Sequence, residues 1–134
     1  MAERLSAGLL DTSVVIDLER LAPHDLPEVA AVCAITMAEL AAGPAATTDA
    51  AERARRQDRL QRAEATFDPI PFDVAAARAY GLIYSAVVST GGKPRRRLAD
   101  LLIAATALAE DLPLYTRNPD DFTGLEQLIT VVEV

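Results

Sequence analysis

An α/β architecture, with a mostly parallel central sheet flanked by helices, is predicted by three features of the sequence. Short apolar runs alternate with longer segments of helical composition, the pattern of strand–helix–strand units. The runs are apolar at consecutive positions rather than at every second one, as in strands covered on both faces. No internal repeat, low-complexity tract or long linker interrupts the alternation, so the 134 residues read as one domain, 1–134.

In chain order, residues 6–10 (SAGLL) enter a first strand that stops at Asp11, and Thr12-Ser13 turns the chain into a short helix over 14–21. Pro23, His24, Asp25 and Pro27 make a loop. The apolar run 30–35 predicts a second strand. Thr36 and Glu39 then have the spacing of a capping box, and Gly43-Pro44 ends the helix behind it. Asp49 caps a long Arg/Ala/Glu helix over about 50–65. Residues 68–72, with two prolines, read as an edge-like extended segment, and Asp73 caps a helix to about 89. A flexible basic loop at 91–94 leads into 98–109, which is rich in Ala and Leu and predicts a helix that is apolar nearly all round and therefore buried. Residues 112–116 form a third strand, Asn118-Pro119 a turn, 121–125 a short turn or helical piece, and 128–134 a last strand.

Composition narrows the function. Apolar residues make up 51% and charged residues 25%, a globular balance, and no apolar run approaches the roughly 18 residues of a membrane span. Glu3 and Arg4 stand where a signal peptide would begin its apolar stretch, and one cysteine, Cys33, precludes an internal disulfide; a cytoplasmic location is expected. The net charge of −7 argues against a nonspecific nucleic-acid binder. Local patches override a global sum, however. Lys93, Arg95, Arg96 and Arg97 form one basic cluster, and Arg53, Arg55, Arg56, Arg59 and Arg62 another. The second alternates with Glu52, Asp58 and Glu64, as on a solvated helix face, whereas no acid offsets the first before Asp100.

Asp100 is the one charge in the apolar helix over 98–109, and a carboxylate there is costly unless something positive meets it. A helix cap, a pair with a neighbouring arginine or a wet spot would each suffice; so would a metal ion shared with other acids. Three further carboxylates fall near predicted strand ends: Asp11 after the first strand, Glu39 after the second, and Asp121 after the third. In a parallel sheet, sites form beyond the carboxyl ends of the strands, where these segments can converge. Each acid also has a local reading, Asp11 as a helix cap, Glu39 as half of a capping box, Asp121 as a solvated turn residue. Four carboxylates together suit a hard cation, Mg²⁺ or Mn²⁺; zinc is disfavoured in a chain with one His and one Cys in separate segments. Gly91-Gly92-Lys93 lacks the leading glycine and the hydroxyl of a phosphate loop.

Four segments in order, LLDTSVVI at 9–16, TMAEL at 36–40, LADLLIAA at 98–105 and LYTRNPDDF at 114–122, resemble the motifs of PIN-domain ribonucleases, and among these the VapC toxins of bacterial toxin–antitoxin pairs. The resemblance implies a PIN-like three-layer fold and an endoribonuclease dependent on Mg²⁺, with Mn²⁺ as a substitute. It implies Asp11 and Asp100 as metal ligands and Glu39 and Asp121 as the remaining acids of the catalytic set. Ser13 and Thr116 are expected to orient water or support the ligands, although both hydroxyls suit backbone capping equally well. Asn118 stands where some members carry another Asp. The resemblance further implies a VapB-type antitoxin partner, a homodimer, a larger assembly with the antitoxin, and an RNA substrate held by Lys93, Arg95, Arg96 and Arg97. Two alternatives remain: a PIN-like binding module without turnover, and a phosphohydrolase with Asp11 as nucleophile, against which stands the lack of a second Asp two residues on.

Overall fold

The computed structural model describes residues 4–134; Glu3 lies outside them. β1 (Ala7–Leu10), β2 (Val29–Ala31), β3 (Leu114–Thr116) and β4 (Val131–Glu133) form a sheet in the order β2-β1-β3-β4. Every neighbouring pair is parallel, with Leu9 opposite both Ala31 and Leu114, and Leu114 opposite Val131. The helices are α1 (Thr12–Ile16), α2 (Ala34–Ala42), α3 (Ala50–Thr66), α4 (Val74–Ser89) and α5 (Leu98–Glu110).

The strands are short, so the pleat decides the layers. Leu9 and Leu10 are both fully buried yet belong to different cores. Leu9 packs with Leu114, Ile83, Leu101 and Phe122 under α4 and α5. Leu10 packs with Tyr115, Val14, Val32, Leu40 and Ala63 under α1, α2 and α3. Successive side chains of a strand point to opposite faces, so two adjacent leucines can anchor helices on both sides. Each contributes about 2 kcal/mol on burial. Gly8, in the same strand, lies so close to the Tyr115 ring that a methyl group there would overlap it.

The predicted alternation and parallel sheet are observed, as are the caps at Asp49 and Asp73, whose carboxylates accept from the Ala51 and Ala76 amides at 3.3 and 2.9 Å. The capping box of Thr36 and Glu39 is not. The chain leaves the sheet at Cys33, where Ala34 donates its amide to the Ile70 carbonyl at 2.8 Å and Ile70 donates to Val32 at 2.9 Å. This bridge, formed by the predicted edge-like segment, ends β2 at Ala31 and starts α2 at Ala34 behind an N-cap Cys33 without a side-chain cap. Thr36 is thereby drawn into the helix and fully buried. The basic loop also tightens: Pro94–Arg97 is a 3-10 turn running directly into α5. The last strand, expected over 128–134, shortens to β4, and Leu128 and Ile129 instead pack into the α4–α5 core. Among the described residues no helix is long and apolar enough to cross a membrane.

Candidate active site

β1 has partners on both sides, β2 and β3, so the direction of strand connection reverses beside it. The carboxyl ends of β1 and β3 therefore open a crevice, and Asp11 stands at its lip. The Asp11 amide continues the ladder, donating to the Tyr115 carbonyl at 3.0 Å. Its side chain caps α1: Oδ1 accepts from the Val14 amide at 3.2 Å and from the Ser13 hydroxyl at 2.5 Å. Asp11 is 4% exposed. The local reading as a helix cap thus holds, and it is compatible with a second use, since both bonds fall on one oxygen.

Ser13 bridges the two strand ends: it donates to Asp11 and accepts from the Arg117 amide at 3.0 Å. Its two bonds combine the alternatives open in the sequence, contact with Asp11 and capping of a backbone amide. Thr116 takes the capping alternative, its buried Oγ1 accepting from the Asn118 amide at 3.0 Å. The Asn118 side chain makes no cap for the 3-10 turn Pro119–Phe122 that follows.

Glu39 is held from across the crevice. The Thr12 hydroxyl donates to Glu39 Oε1 at 2.5 Å and lies 3.2 Å from Thr36 Oγ1. Thr12 read from sequence only as a turn residue, although its place beside Asp11 at a helix start was a signal. Glu39 is exposed; its partner is Thr12 on another element, not its own helix N-terminus.

Asp100 sits in the first turn of α5, half-buried, and its carboxyl pKa is raised from 3.8 to about 6. Loss of solvent is the leading cause, followed by the charges of Asp121, Glu39 and Asp11; Arg97 opposes them. The four acids singled out in the sequence therefore act on one point, although they come from β1's end, α2, α5 and the turn after β3. They are gathered loosely: among the described residues no three His, Cys, Asp or Glu side chains form a ready-made metal shell.

The basic segment before α5 divides. Lys93, Arg95 and Arg96 are exposed. Arg97 is half-buried and turned inward, donating from Nη1 to the Asp121 carbonyl at 2.5 Å. It therefore departs from the expectation that all four would face RNA: it ties the acidic turn to α5 and moderates the charge on Asp100.

Residues 8–126 match the PIN domain family. The chain belongs to the PIN domain family. Ribonuclease VapC5 of Mycobacterium tuberculosis is 37% identical over 136 residues, covering 98% of this chain and 96% of that protein. Ribonuclease VapC8 of the same organism is 39% identical over 104 residues, covering 77% of this chain and 92% of that protein. Among solved structures, VapBC-5 from M. tuberculosis, a member of the VapBC family of toxin–antitoxin systems, superposes with a TM-score of 0.82 at 31% identity, covering 96% and 99% of the two chains. As a PIN domain of VapC type, the protein presents its four acids at the carboxyl edge of the sheet, between the two helical layers.

Proposed function

We propose that this VapC-type PIN domain is the toxin of a toxin–antitoxin pair and a divalent-metal-dependent endoribonuclease. The observation that carries the reading is the gathering of acids around Asp100: a half-buried carboxylate whose pKa is raised to about 6, first by loss of solvent and then by the charges of Asp121, Glu39 and Asp11 from separate elements. Such a conflict is relieved by a cation. The donor set consists of carboxylate oxygens, which fits Mg²⁺ or Mn²⁺ and does not fit zinc. Asp11 and Asp100 would hold the ion, and Glu39 and Asp121 would complete or orient its surroundings. When bound, the metal supplies a lowered pKa for coordinated water and stabilisation of charge on a phosphoryl group.

The protein's own contribution is preorganisation. Ser13 holds Asp11, Thr12 holds Glu39, Arg97 holds the turn bearing Asp121, and the packed face of α5 holds Asp100. The exposed Lys93, Arg95 and Arg96 contact phosphates, positioning the strand without specifying its sequence. The acidic net charge favours association with a basic segment of a VapB-type antitoxin, and self-association into a homodimer accompanies it.

The test is RNA cleavage by the purified toxin in Mg²⁺. The parent cleaves, chelation stops it, and Asp11→Asn and Asp100→Asn each lose activity by at least about 100-fold. Cleavage by both variants at the parent rate would overturn the assignment. A parent freed of antitoxin that binds RNA but never cleaves it with either metal would instead be a binding module.

A further inference from the structure

The five arginines of α3 are not equivalent. Arg53 donates to the Pro44 and Thr47 carbonyls at 3.2 and 3.0 Å. Arg55 pairs with Glu52 at 2.9 Å. Arg56 pairs with Glu52 at 3.3 Å and donates to the Gly43 carbonyl at 2.9 Å. Arg62 pairs with Asp58 at 2.9 Å and also contacts Glu19. Among the described residues Arg59 has neither an ion pair nor a hydrogen bond, although it is partly buried. An arginine that gives up solvent without a partner is the exception on a helix that otherwise satisfies each guanidinium.

Its position explains what it is kept for. Arg59 lines a cleft of about 290 Å³ whose other walls include Thr12, Glu39, Gly43 and Arg56. Thr12 and Glu39 belong to the acidic centre, so the cleft opens from that centre toward α3. Within it Glu52 is engaged by Arg55 and Arg56, so Arg59 is the arginine of the cleft that has no carboxylate partner among the described residues. The second basic group, Lys93, Arg95 and Arg96, precedes α5 on the opposite helical layer. The acidic centre thus lies between two cationic grips, one per layer.

We propose that Arg59 binds a phosphate of single-stranded RNA flanking the scissile linkage, so that the strand runs from the segment before α5, across the acidic centre, into the cleft beside α3. This rests on the ribonuclease reading and adds the path of the substrate. A guanidinium grips a phosphate with two parallel N–H donors, which an ammonium cannot reproduce.

The test measures binding rather than turnover. A fluorescein-labelled mixed-sequence RNA of about a dozen nucleotides is titrated by anisotropy, in Mg²⁺, with the full chain carrying Asp100→Asn. Adding Arg59→Ala weakens binding about 10-fold at low salt and reduces the slope of log K against log salt by about 0.7, the loss of one phosphate contact to a single strand. Arg59→Lys restores the slope but only part of the affinity. Arg53→Ala, with the same change of charge on the same helix but outside the cleft, leaves both unchanged. A methylphosphonate scan then finds one linkage whose neutralisation weakens the Asp100→Asn protein and not the Arg59→Ala double variant. Equal binding with and without Arg59, absence of RNA binding, or an effect confined to the antitoxin complex overturns the assignment. Failure of the ribonuclease reading shows separately, as absence of cleavage by the parent chain.

Discussion

Asp100 takes up a proton more readily in the folded protein than in an unfolded chain, with a folded pKa of about 6 against 3.8. The folded state therefore binds more protons between those values, and metal-free stability falls as pH rises through that window and stays lower above it. Because the group is only half-buried, solvent screening reduces the penalty to on the order of 1 kcal/mol. Metal-free Asp100→Asn should be more stable than the parent by about that amount in urea at pH 7.5 and nearly equal to it at pH 4.5; a clear loss at pH 7.5 would show that Asp100 is a structural cap. Ser13 makes a complementary case. Its hydroxyl joins Asp11 to the Arg117 amide, so Ser13→Ala should cost about 1 kcal/mol and lower cleavage about 10- to 100-fold, as loss of a group that orients a ligand does. Melts and initial rates on the same preparation check both. Asp11, Glu39 and Asp121 were legible because they follow strand ends, and Asp100 because it is the one charge in an apolar helix. Thr12 was not, because its partner Glu39 lies 27 positions away and only the folded sheet brings them together.

Local capping signals are reliable where the partner is local. Asp49 and Asp73 cap their helices as read, each bonding an amide two or three residues ahead. The signal at Thr36 failed because a distant residue, Ile70, takes the Ala34 amide and brings the helix start forward. The helix over 98–109 was legible from composition, and α5 does bury Leu101 and the run Ile103, Ala104, Ala105, Thr106 and Ala107. Thr106 survives there by donating to the Leu102 carbonyl at 3.1 Å. The end of α5 carries strain that the composition does not reveal. Asp111 closes it in the left-handed conformation, φ 53 and ψ 47, where a β-carbon is unfavourable and glycine is at ease. Asp111→Gly should therefore raise stability by about 0.5–1 kcal/mol, read as a higher urea midpoint with an unchanged m-value, and should leave cleavage unaffected.

The sheet order β2-β1-β3-β4 turns four distant sequence positions into one centre, so an ion held there would be linked to folding across the molecule. The alternation of elements made the parallel sheet legible, whereas the inward turn of Arg97 and the isolation of Arg59 depend on how two helical layers close over its edge, which no local pattern encodes. Only the folded state gathers Asp11, Glu39, Asp100 and Asp121, and a ligand that binds only that state stabilises it by mass action. Mn²⁺ or Mg²⁺ at about 100 times its dissociation constant should add about 2.7 kcal/mol, a rise in melting temperature on the order of 10 °C for a domain of this size. The protons on Asp100 compete with the metal, so the rise should be smaller at pH 5.5 than at pH 7.5. NaCl at matched ionic strength should not reproduce it, and Asp11→Asn should abolish it. A melting temperature indifferent to both divalent ions at pH 7.5 would mean that the four carboxylates, although gathered, do not hold a metal.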